Sequence, residues 1–311
     1  MKSVIVKPDT LRSMVDGLQE SLEQGQAVVP DQAEITDPKW VPVNGSHAIQ
    51  MAYASIAFAQ PVTAVIWNNV LTAARAAAAT EKLNVEVPLQ SMMFQIGPGA
   101  AQIPAAIRQN AGFVFQSHAA PNLVGEKFLV QPDQIRFETS SYTRWVGFKA
   151  KMQSLFSAVL PAYSAAVNLG QISLEYTDVF YWSDAGDADC RDIVDQNSQL
   201  VASAVMQARG LWHSHSGWFD NEDAGSRRLS NADITVADAI VQNEQRRAIN
   251  IRTHEATQFL LDQDGLPVDG QPDIESIIEK FDNHHASLKG ALNEILTSSA
   301  RKMISLGLSD A

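Results

Sequence analysis

An order of apolar patterns that occurs twice constrains the fold of this 311-residue chain more than any other feature of its sequence. The first pass runs from about Ile49 to Leu160, and the second runs from about Ile172 to Leu296. Each pass is typical of a strand, a helix, three or four strands at hairpin spacing, and a long amphipathic helix. The pattern therefore predicts an α+β fold of two tandem β-α-β(3-4)-α repeats, with antiparallel sheets each covered by a long helix.

The repeats divide the chain into three predicted segments. Residues 1–46 are expected to form an N-terminal helix and an extended linker, because apolar residues at helical spacing are followed by three prolines. Residues 47–166 correspond to the first α+β repeat, and residues 167–311 correspond to the second. Each repeat is expected to bury one face of its own sheet beneath its own helix.

Periodicity places the main elements of both repeats. A helix is predicted over residues 145–160, where Pro161 is expected to terminate it, and another is predicted over Ile274–Ile295. Residues 171–180 alternate between apolar and polar side chains, which predicts a strand with one solvent-exposed face. A weaker helical pattern covers residues 193–206.

Two local irregularities are predicted within the first repeat. The apolar alternation changes phase at Gln90 and Ser91, which indicates a β-bulge. Pro132 and Asp133 separate two strand patterns and are typical of a tight turn.

Composition and charge restrict the class of protein and its partners. An apolar content of 45% with 19% charged residues is typical of a soluble globular protein. The longest apolar stretches are shorter than the roughly 20 residues of a membrane-spanning helix, and the N-terminus lacks the apolar core of a signal peptide. The single cysteine, Cys190, cannot form an intrachain disulfide, which favours a reducing cytoplasm. We therefore expect a cytoplasmic protein with no membrane segment.

The net charge of −12 bears on what the protein binds. Nucleic acid and anionic lipid would both be repelled at long range, so direct nucleic-acid binding is not expected. Another protein or a small ligand is the expected partner, and a homo-oligomer is an open alternative. No cofactor is expected.

Five short blocks of the sequence carry recognisable motifs: residues 47–61, 92–99 (MMFQIGPG), 112–117 (GFVFQS), 128–148, and Leu169–Trp182 (LGQISLEYTDVFYW). They resemble the strand, FQIG, aromatic-strand, YxxW-helix and tyrosine-bearing strand blocks of a sporadically distributed family of uncharacterised bacterial proteins. The resemblance covers about residues 47–306. It implies a soluble α+β protein of unknown activity.

Two details of the resemblance concern polar residues. The last block contains Tyr176, Thr177 and Asp178, where the resembled family commonly has Tyr-Ile-Asn or Tyr-Val-Asn. The C-terminal helix, with His284 or His285, also resembles the end of that family's proteins. Adjacent histidines on a helix point about 100° apart, so one is expected at the edge of the core and the other in solvent.

A pair of histidines is the main candidate for metal binding. His213 and His215 lie two residues apart in a predicted strand, so both rings project from the same face. A zinc site usually has three or four protein ligands, and the local sequence supplies no certain third one. The remaining candidate ligands are Asp220, Glu222, Asp223 and the distant His254. The alternative is a structural or partner-facing pair.

The aromatic residues around this pair predict a recognition surface. Trp212, Trp218 and Phe219 flank His213 and His215, and aromatic residues beside polar rings are favoured at interfaces. These five residues are the predicted binding residues. Burial in the core is nevertheless expected for at least two of the three aromatics.

Other chemical motifs favour structural roles. The five aspartates between 184 and 195 lack the glycine and glutamate positions of an EF-hand and indicate a solvated connection. Gly97, Pro98 and Gly99 are typical of a turn, because no P-loop lysine follows them. Cys190 lies among aspartates, which raise the pKa of a thiol and disfavour a nucleophile.

These patterns lead to two functional hypotheses. The favoured one is a non-catalytic binding or interaction protein of bacterial origin, which uses the surface near Trp212 to Phe219 or a ligand groove between a sheet and its long helix. An accessory role in host defence or a mobile-element system is what the sporadic occurrence of the resembled family implies. The alternative is a metal-dependent, hydrolase-like enzyme centred on His213 and His215.

Overall fold

The structure is a computed structural model that describes residues 39–93, 107–121, 123–184, 188–208, 210–221, 225–241 and 244–306. The helix predicted within residues 1–46 and the predicted turn at Gly97 to Gly99 lie outside these ranges. So do Glu222 and Asp223, two of the residues considered as metal ligands.

Ten strands in the ranges given above form one antiparallel sheet. Nine of them follow the spatial order β3-β4-β5-β6-β2-β7-β10-β9-β8, and β1 pairs with the end of β7. The strands are β1 (Trp40–Pro42), β2 (Ile49–Phe58), β3 (Val85–Met93), β4 (Ile107–Ala120), β5 (Leu123–Gln131), β6 (Gln134–Thr139), β7 (Leu169–Trp182), β8 (Trp212–Asn221), β9 (Ser226–Val241) and β10 (Glu244–Phe259).

The predicted arrangement of two separate helix-covered sheets is wrong. β2, from the first predicted repeat, pairs with β7, from the second, and Ile56 lies directly opposite Ile172. Strands from both halves therefore belong to one continuous sheet and not to tandem β-α-β(3-4)-α repeats. The physical reason is that two separate sheets would leave β2 and β7 as unpaired apolar edges, and their pairing satisfies both rows of backbone hydrogen-bonding groups.

Within the described residues, four helices accompany the sheet: α1 (Ala64–Thr80), α2 (Trp145–Ser164), α3 (Ile274–Ile295) and α4 (Ser298–Met303). α1 packs on α2, and α3 packs on β7 and β10. Buried side chains of α1, α2 and α3 contact the same face of the sheet, which we call the helix-covered face. The other face is called the open face. None of the helices within the described ranges combines the length and apolarity needed to cross a lipid bilayer.

The end of α2 differs from its prediction. The helix continues through Pro161 to Ser164, so the expectation that Pro161 terminates it is wrong. Tyr163, in the turn after the proline, is fully buried and stacks on Phe58 with 4.1 Å between ring centroids. Its hydroxyl donates a hydrogen bond to the carbonyl of Gln131. Tertiary packing therefore stabilises the last turn despite the missing proline N–H.

The helix predicted near residues 193–206 is also wrong. One short 3-10 turn, Cys190–Asp192, precedes this segment, and a second, Val205–Gln207, lies at its end. The side chains of Asp189, Asp195 and Ser198 each accept a hydrogen bond from the backbone N–H two residues later. Such local hydrogen bonds compete with the backbone hydrogen bonds of a helix. The weak apolar periodicity of this segment is therefore not sufficient to form a helix.

The polar face of β7 is buried, contrary to the prediction that it is exposed. Ser173 and Glu175 are buried because β7 lies in the middle of the sheet between β2 and β10. The hydroxyls of Ser55 and Ser173 lie 2.7 Å apart, and the Tyr53 hydroxyl donates to Glu175 Oε2 at 2.7 Å. Polar residues on the open face thus satisfy one another across adjacent strands.

Two apolar clusters lie on the helix-covered face, and α3 contributes to both. Phe281 and Leu288 belong to the first cluster, with α1, α2 and the strands around β2. Leu292 and Ile295 belong to the second, with the segment around Cys190 and strands β8 to β10. β7 likewise contributes Tyr176 to the first and Phe180 to the second. Between these two residues, on the same face of β7, lies the site described below.

A substitution in the middle of the sheet tests its continuity. Ile172→Ala should lower the free energy of unfolding by about 2 to 4 kcal/mol, because it leaves a cavity at a fully buried position. Chemical denaturation followed by tryptophan fluorescence and by circular dichroism should show one shifted transition. Ile240→Ala, at a side chain that is 81% exposed, is the control and should change little. Two transitions, of which only one shifts, would contradict a single sheet.

Candidate functional site

A cavity of about 360 Å³ lies between α3, the start of α2 and the sheet. Its lining comes from six parts of the chain: the turn before β2, the segment that leads into α2, strand β7, strand β10, helix α3, and the residues after α4. The volume is within the range of about 300 to 1,000 Å³ that is typical of small-molecule sites.

Asp178 on β7 is the most unusual residue of the cavity. Its side chain is only 1% exposed, and neither carboxylate oxygen has a hydrogen-bond partner among the described residues. Burial raises the pKa of this carboxyl group from its ordinary value of 3.8 to about 7. Buried carboxylates are normally paired or hydrogen-bonded, so a lone one that lines a cavity is a strong indication of a site.

Two further polar groups of the same cavity lack partners. Thr253 on β10 is almost fully buried, and its hydroxyl makes no hydrogen bond within the described residues. His47, in the turn before β2, is half-buried, and its Nδ1 atom is also without a partner there. Burial lowers the pKa of the His47 imidazole. Three polar side chains that each have at least one atom without a hydrogen-bond partner among the described residues therefore line one cavity, as in a polar binding site.

Aromatic rings form a fixed wall beside these polar groups. Trp145, at the start of α2, stacks on His285 of α3, with 4.5 Å between ring centroids and 7° between planes. The Trp145 indole N–H donates to Asp282 Oδ1 at 2.8 Å, and the Tyr176 hydroxyl lies 3.0 Å from His285 Nδ1. Tyr142 packs edge-on against Tyr176. These contacts hold the wall in one arrangement.

Among the described residues that line the cavity, the formally charged ones are one acid and two bases. The acid is Asp178, and the bases are Arg144, immediately before α2, and Lys289 on α3. No acidic residue lies in the first turn of α2, and no side chain caps its N-terminus. The positive end of the α2 dipole is therefore directed toward this region without compensation from its own first turn.

The histidine pair predicted from sequence lies elsewhere, on the open face. His213 Nδ1 is 3.3 Å from Asp233 Oδ1, and His215 Nδ1 is 3.9 Å from Asp233 Oδ2. Arg252 Nη2 lies 3.2 Å from the same carboxylate, so a guanidinium already neutralises it. In the part of the chain that the structure describes, no three His, Cys, Asp or Glu side chains form a group suited to a metal ion.

The other proposed ligands of that pair have different neighbours. Asp220 accepts a hydrogen bond from the Trp218 indole at 3.1 Å. His254 lies opposite Asn231, and burial lowers the pKa of its imidazole to about 4. The structure thus brings an unpredicted carboxylate, Asp233, to His213 and His215 instead of these residues.

The five residues of the predicted recognition surface are divided between two faces of β8. Trp212 is buried, and its indole N–H donates to Cys190 Sγ at 3.4 Å. Trp218 lies on the same side of the strand and is 38% exposed, whereas Phe219 is 57% exposed on the open face with His213 and His215. The expectation that at least two of the three aromatics are buried is wrong, because β8 is an edge strand of the described sheet.

The adjacent histidines of α3, His284 and His285, lie in different surroundings. His284 is buried, its Nε2 lies 2.9 Å from the Thr257 hydroxyl, and burial lowers its pKa to about 3. His285 is half-buried and lines the cavity. Cys190 is buried, and burial raises the pKa of its thiol ahead of the smaller effect of Asp189, which agrees with a non-nucleophilic cysteine.

No protein-family model matches the chain. A search of curated proteins finds none with significant similarity to it. The resemblance to uncharacterised bacterial proteins therefore stays a prediction, and the chemistry of the cavity is the evidence for function.

Sequence reasoning proposed a groove between a sheet and its long helix but did not identify the residues of this cavity, although two signals were present. Asp178 is a charged residue on the apolar face of β7, between Tyr176 and Phe180. The motif residues Tyr142, Trp145, Tyr176, Asp178 and His285 all line this one space. These residues are far apart in the sequence and come together only because α2 and α3 meet over β7. The sequence alone therefore does not show that they share one cavity.

The raised pKa of Asp178 makes a prediction about stability. Between about pH 4 and 7 the folded protein keeps a proton on Asp178 that the unfolded chain has released, so the contribution of Asp178 to the free energy of unfolding falls as pH rises through this range and is constant above it. The asparagine side chain of Asp178→Asn cannot ionise, so this variant should not lose stability in this way as the pH rises. In ligand-free protein its stability relative to wild type should increase from pH 4 to 7, by on the order of 3 to 4 kcal/mol.

Urea unfolding of wild type and Asp178→Asn across this pH range measures the difference. The buried histidines titrate in both proteins, so their contribution cancels in the comparison. Asp264→Asn, at an exposed position, is the control and should follow wild type. Parallel pH profiles for wild type and Asp178→Asn would show that Asp178 has an ordinary pKa.

Proposed function

We propose that this protein is a non-catalytic binding protein whose small ligand occupies the cavity at Asp178. The observation that supports this most directly is a buried carboxylate whose two oxygens both lack a partner among the described residues while it lines a cavity of ligand size. The ligand would supply the missing hydrogen-bond donors, through an ammonium, guanidinium or other N–H group.

The energetics of Asp178 favour a binding role over a structural one. An unpaired buried carboxylate destabilises the folded protein and is usually replaced or paired when its only role is packing. A ligand that donates to it forms charge-assisted hydrogen bonds, which contribute about 1.5 to 3 kcal/mol each. The destabilisation of the folded protein by this carboxylate is thus offset only when a ligand is bound, as in many preformed binding sites.

The fixed aromatic wall also suits recognition. Stacking of Trp145 on His285 and the contact of His285 with Tyr176 leave these rings little freedom to lose when a ligand binds. Of the two binding hypotheses from sequence, the groove between the sheet and a long helix therefore has the stronger support. Trp218 and Phe219 remain a predicted surface for a protein partner or a homo-oligomer.

The metal-dependent alternative has weaker support. Arg252 lies against the carboxylate that His213 and His215 share, and a guanidinium there opposes a metal cation. An accessory role in host defence or a mobile-element system rests on the sequence resemblance alone and remains a prediction.

Binding of simple cations tests the proposed function. Agmatine and cadaverine present a guanidinium or ammonium group that can donate to Asp178, and calorimetric titration should show saturable binding to wild type. Asp178→Asn should weaken it by about 10- to 100-fold, the equivalent of one charge-assisted hydrogen bond. Asp233→Asn, a carboxylate of the open face, is the matched control. Equal affinity for wild type and Asp178→Asn would place the binding elsewhere.

The pH dependence of that binding follows from the same carboxylate. The ionised form of Asp178 should bind the cation, so affinity should rise from pH 6 to 8 as the carboxylate with a pKa of about 7 loses its proton. Below pH 7 the apparent dissociation constant should approach a tenfold increase per pH unit. Asp178→Asn should show a flat profile over this range. A wild-type profile that is also flat would contradict the involvement of Asp178.

A further inference from the structure

Resting on the proposed function, we infer that the cationic group of the ligand is a planar guanidinium or amidinium. Two parallel N–H groups of this cation donate to the two oxygens of Asp178, and its remaining N–H groups donate to His47 Nδ1 and to the Thr253 hydroxyl. An ammonium group, which the proposed function also allows, would not satisfy all of these acceptors.

The two oxygens of Asp178 are the first support. Both lack a hydrogen-bond donor among the described residues, and the residue is 1% exposed. Two N–H groups on one edge of a guanidinium or amidinium are parallel and match the geometry of a carboxylate. The three N–H bonds of an ammonium group diverge, so it bonds well to only one of the two oxygens. Two unsatisfied oxygens on one carboxylate therefore favour the planar cation.

The positions of His47 and Thr253 are the second support. Ile49 of β2 and Ile251 of β10 both pair with Asp178, from opposite sides of β7. His47 precedes Ile49 by two residues, and Thr253 follows Ile251 by two, so their side chains flank the carboxylate in the cavity. When each terminal nitrogen of a guanidinium directs one N–H group at a carboxylate, its other N–H group points sideways. These lateral groups are suited to donors on both flanks being met by acceptors.

The unpartnered atoms on the two flanks can both accept a hydrogen bond. Burial lowers the pKa of His47, so its ring is neutral, and one ring nitrogen hydrogen-bonds to the backbone of Tyr142. The other nitrogen, Nδ1, makes no hydrogen bond within the described residues and keeps a lone pair that an N–H group can use. The Thr253 hydroxyl, which also has no partner there, can accept as well.

The apolar part of the cavity is the third support. Leu288 and Leu292 of α3 and Ile304 after α4 are buried side chains that line it. A cation that enters this space must lose most of its bound water. An ammonium group is strongly hydrated, whereas a guanidinium is weakly hydrated and is favoured in buried ion pairs. Transfer from water into this cavity therefore costs less for the guanidinium.

Pairs of compounds with the same hydrocarbon group test the inference. Benzamidine and benzylamine form one pair, and n-butylguanidine and n-butylamine form another; each compound carries one positive charge. Calorimetric titration of the full chain at pH 8, where Asp178 with its pKa of about 7 is mostly ionised, gives the four affinities. The planar cation of each pair should bind about 10-fold or more tightly than the amine, the equivalent of one further charge-assisted hydrogen bond.

Variants of the cavity assign the contacts. Asp178→Asn should abolish the preference for the planar cations. Thr253→Val and His47→Phe each remove one acceptor and should weaken the planar cations by about 3- to 10-fold, with less effect on the amines. Thr235→Val, the same substitution on the open face, is the matched control. Equal effects of Thr253→Val and Thr235→Val would overturn the contact with Thr253.

The outcomes separate this inference from the proposed function. Amines that bind as tightly as the planar cations, with loss of both in Asp178→Asn, would overturn the planar group and leave the binding role of Asp178 intact. Binding of any probe that is unchanged in Asp178→Asn would count against the proposed function itself. Absence of binding by all four compounds up to about 10 mM, in wild type shown to be folded by circular dichroism, would overturn the inference. Saturable binding of cadaverine to the same sample would then still support the proposed function.

Discussion

The pairing of β7 with its neighbours is the constraint on which the rest of the structure depends. β7 pairs with β1 and β2 on one side and with β10 on the other, so it joins strands from both halves of the chain. This central position buries both of its faces. The open-face residues Ser173 and Glu175 need partners from β2, and the helix-covered residues need α3. Any residue of β7 that lacks a partner is therefore exceptional.

Asp178, both of whose carboxylate oxygens lack a hydrogen-bond partner among the described residues, is such a residue, and it lies where the cavity is. The apolar face of β7 contributes Tyr176 to one cluster and Phe180 to the other, and α3 passes from one to the other between Leu288 and Leu292. A large apolar residue at position 178 would join the clusters into one core. The carboxylate lies between Tyr176 and Phe180, beside a cavity that side chains of both clusters line. The site thus results from an interruption of the core at the point where α3 crosses the sheet.

Local patterns in the sequence predicted much of the secondary structure. They failed where contacts between residues far apart in the sequence determine the structure. The bulge after Leu89 and the turn at Pro132 and Asp133 are confirmed, because both depend on neighbouring residues. The prediction of two separate sheets is wrong, since the sequence of an apolar strand such as β2 does not indicate which strand it pairs with. Asp178 was visible as a break in alternation. The absence of a partner for its carboxylate could not be predicted, because it depends on residues that are distant in sequence and come from the segment before α2, from β10 and from α3.

The comparison between the open face and the cavity shows which polar residues indicate function. His213 and His215 have the side chains most often found in metal and catalytic sites, yet they lie in a network that already includes Asp233 and Arg252. Other polar groups of that face are paired as well: Lys127 bonds to Glu138, and Tyr53 bonds to Glu175. Such pairs stabilise a sheet and need no ligand. Asp178 and Thr253 have less distinctive chemistry but unmet hydrogen-bonding capacity at a cavity. Unmet capacity, more than residue type, is what a ligand can use.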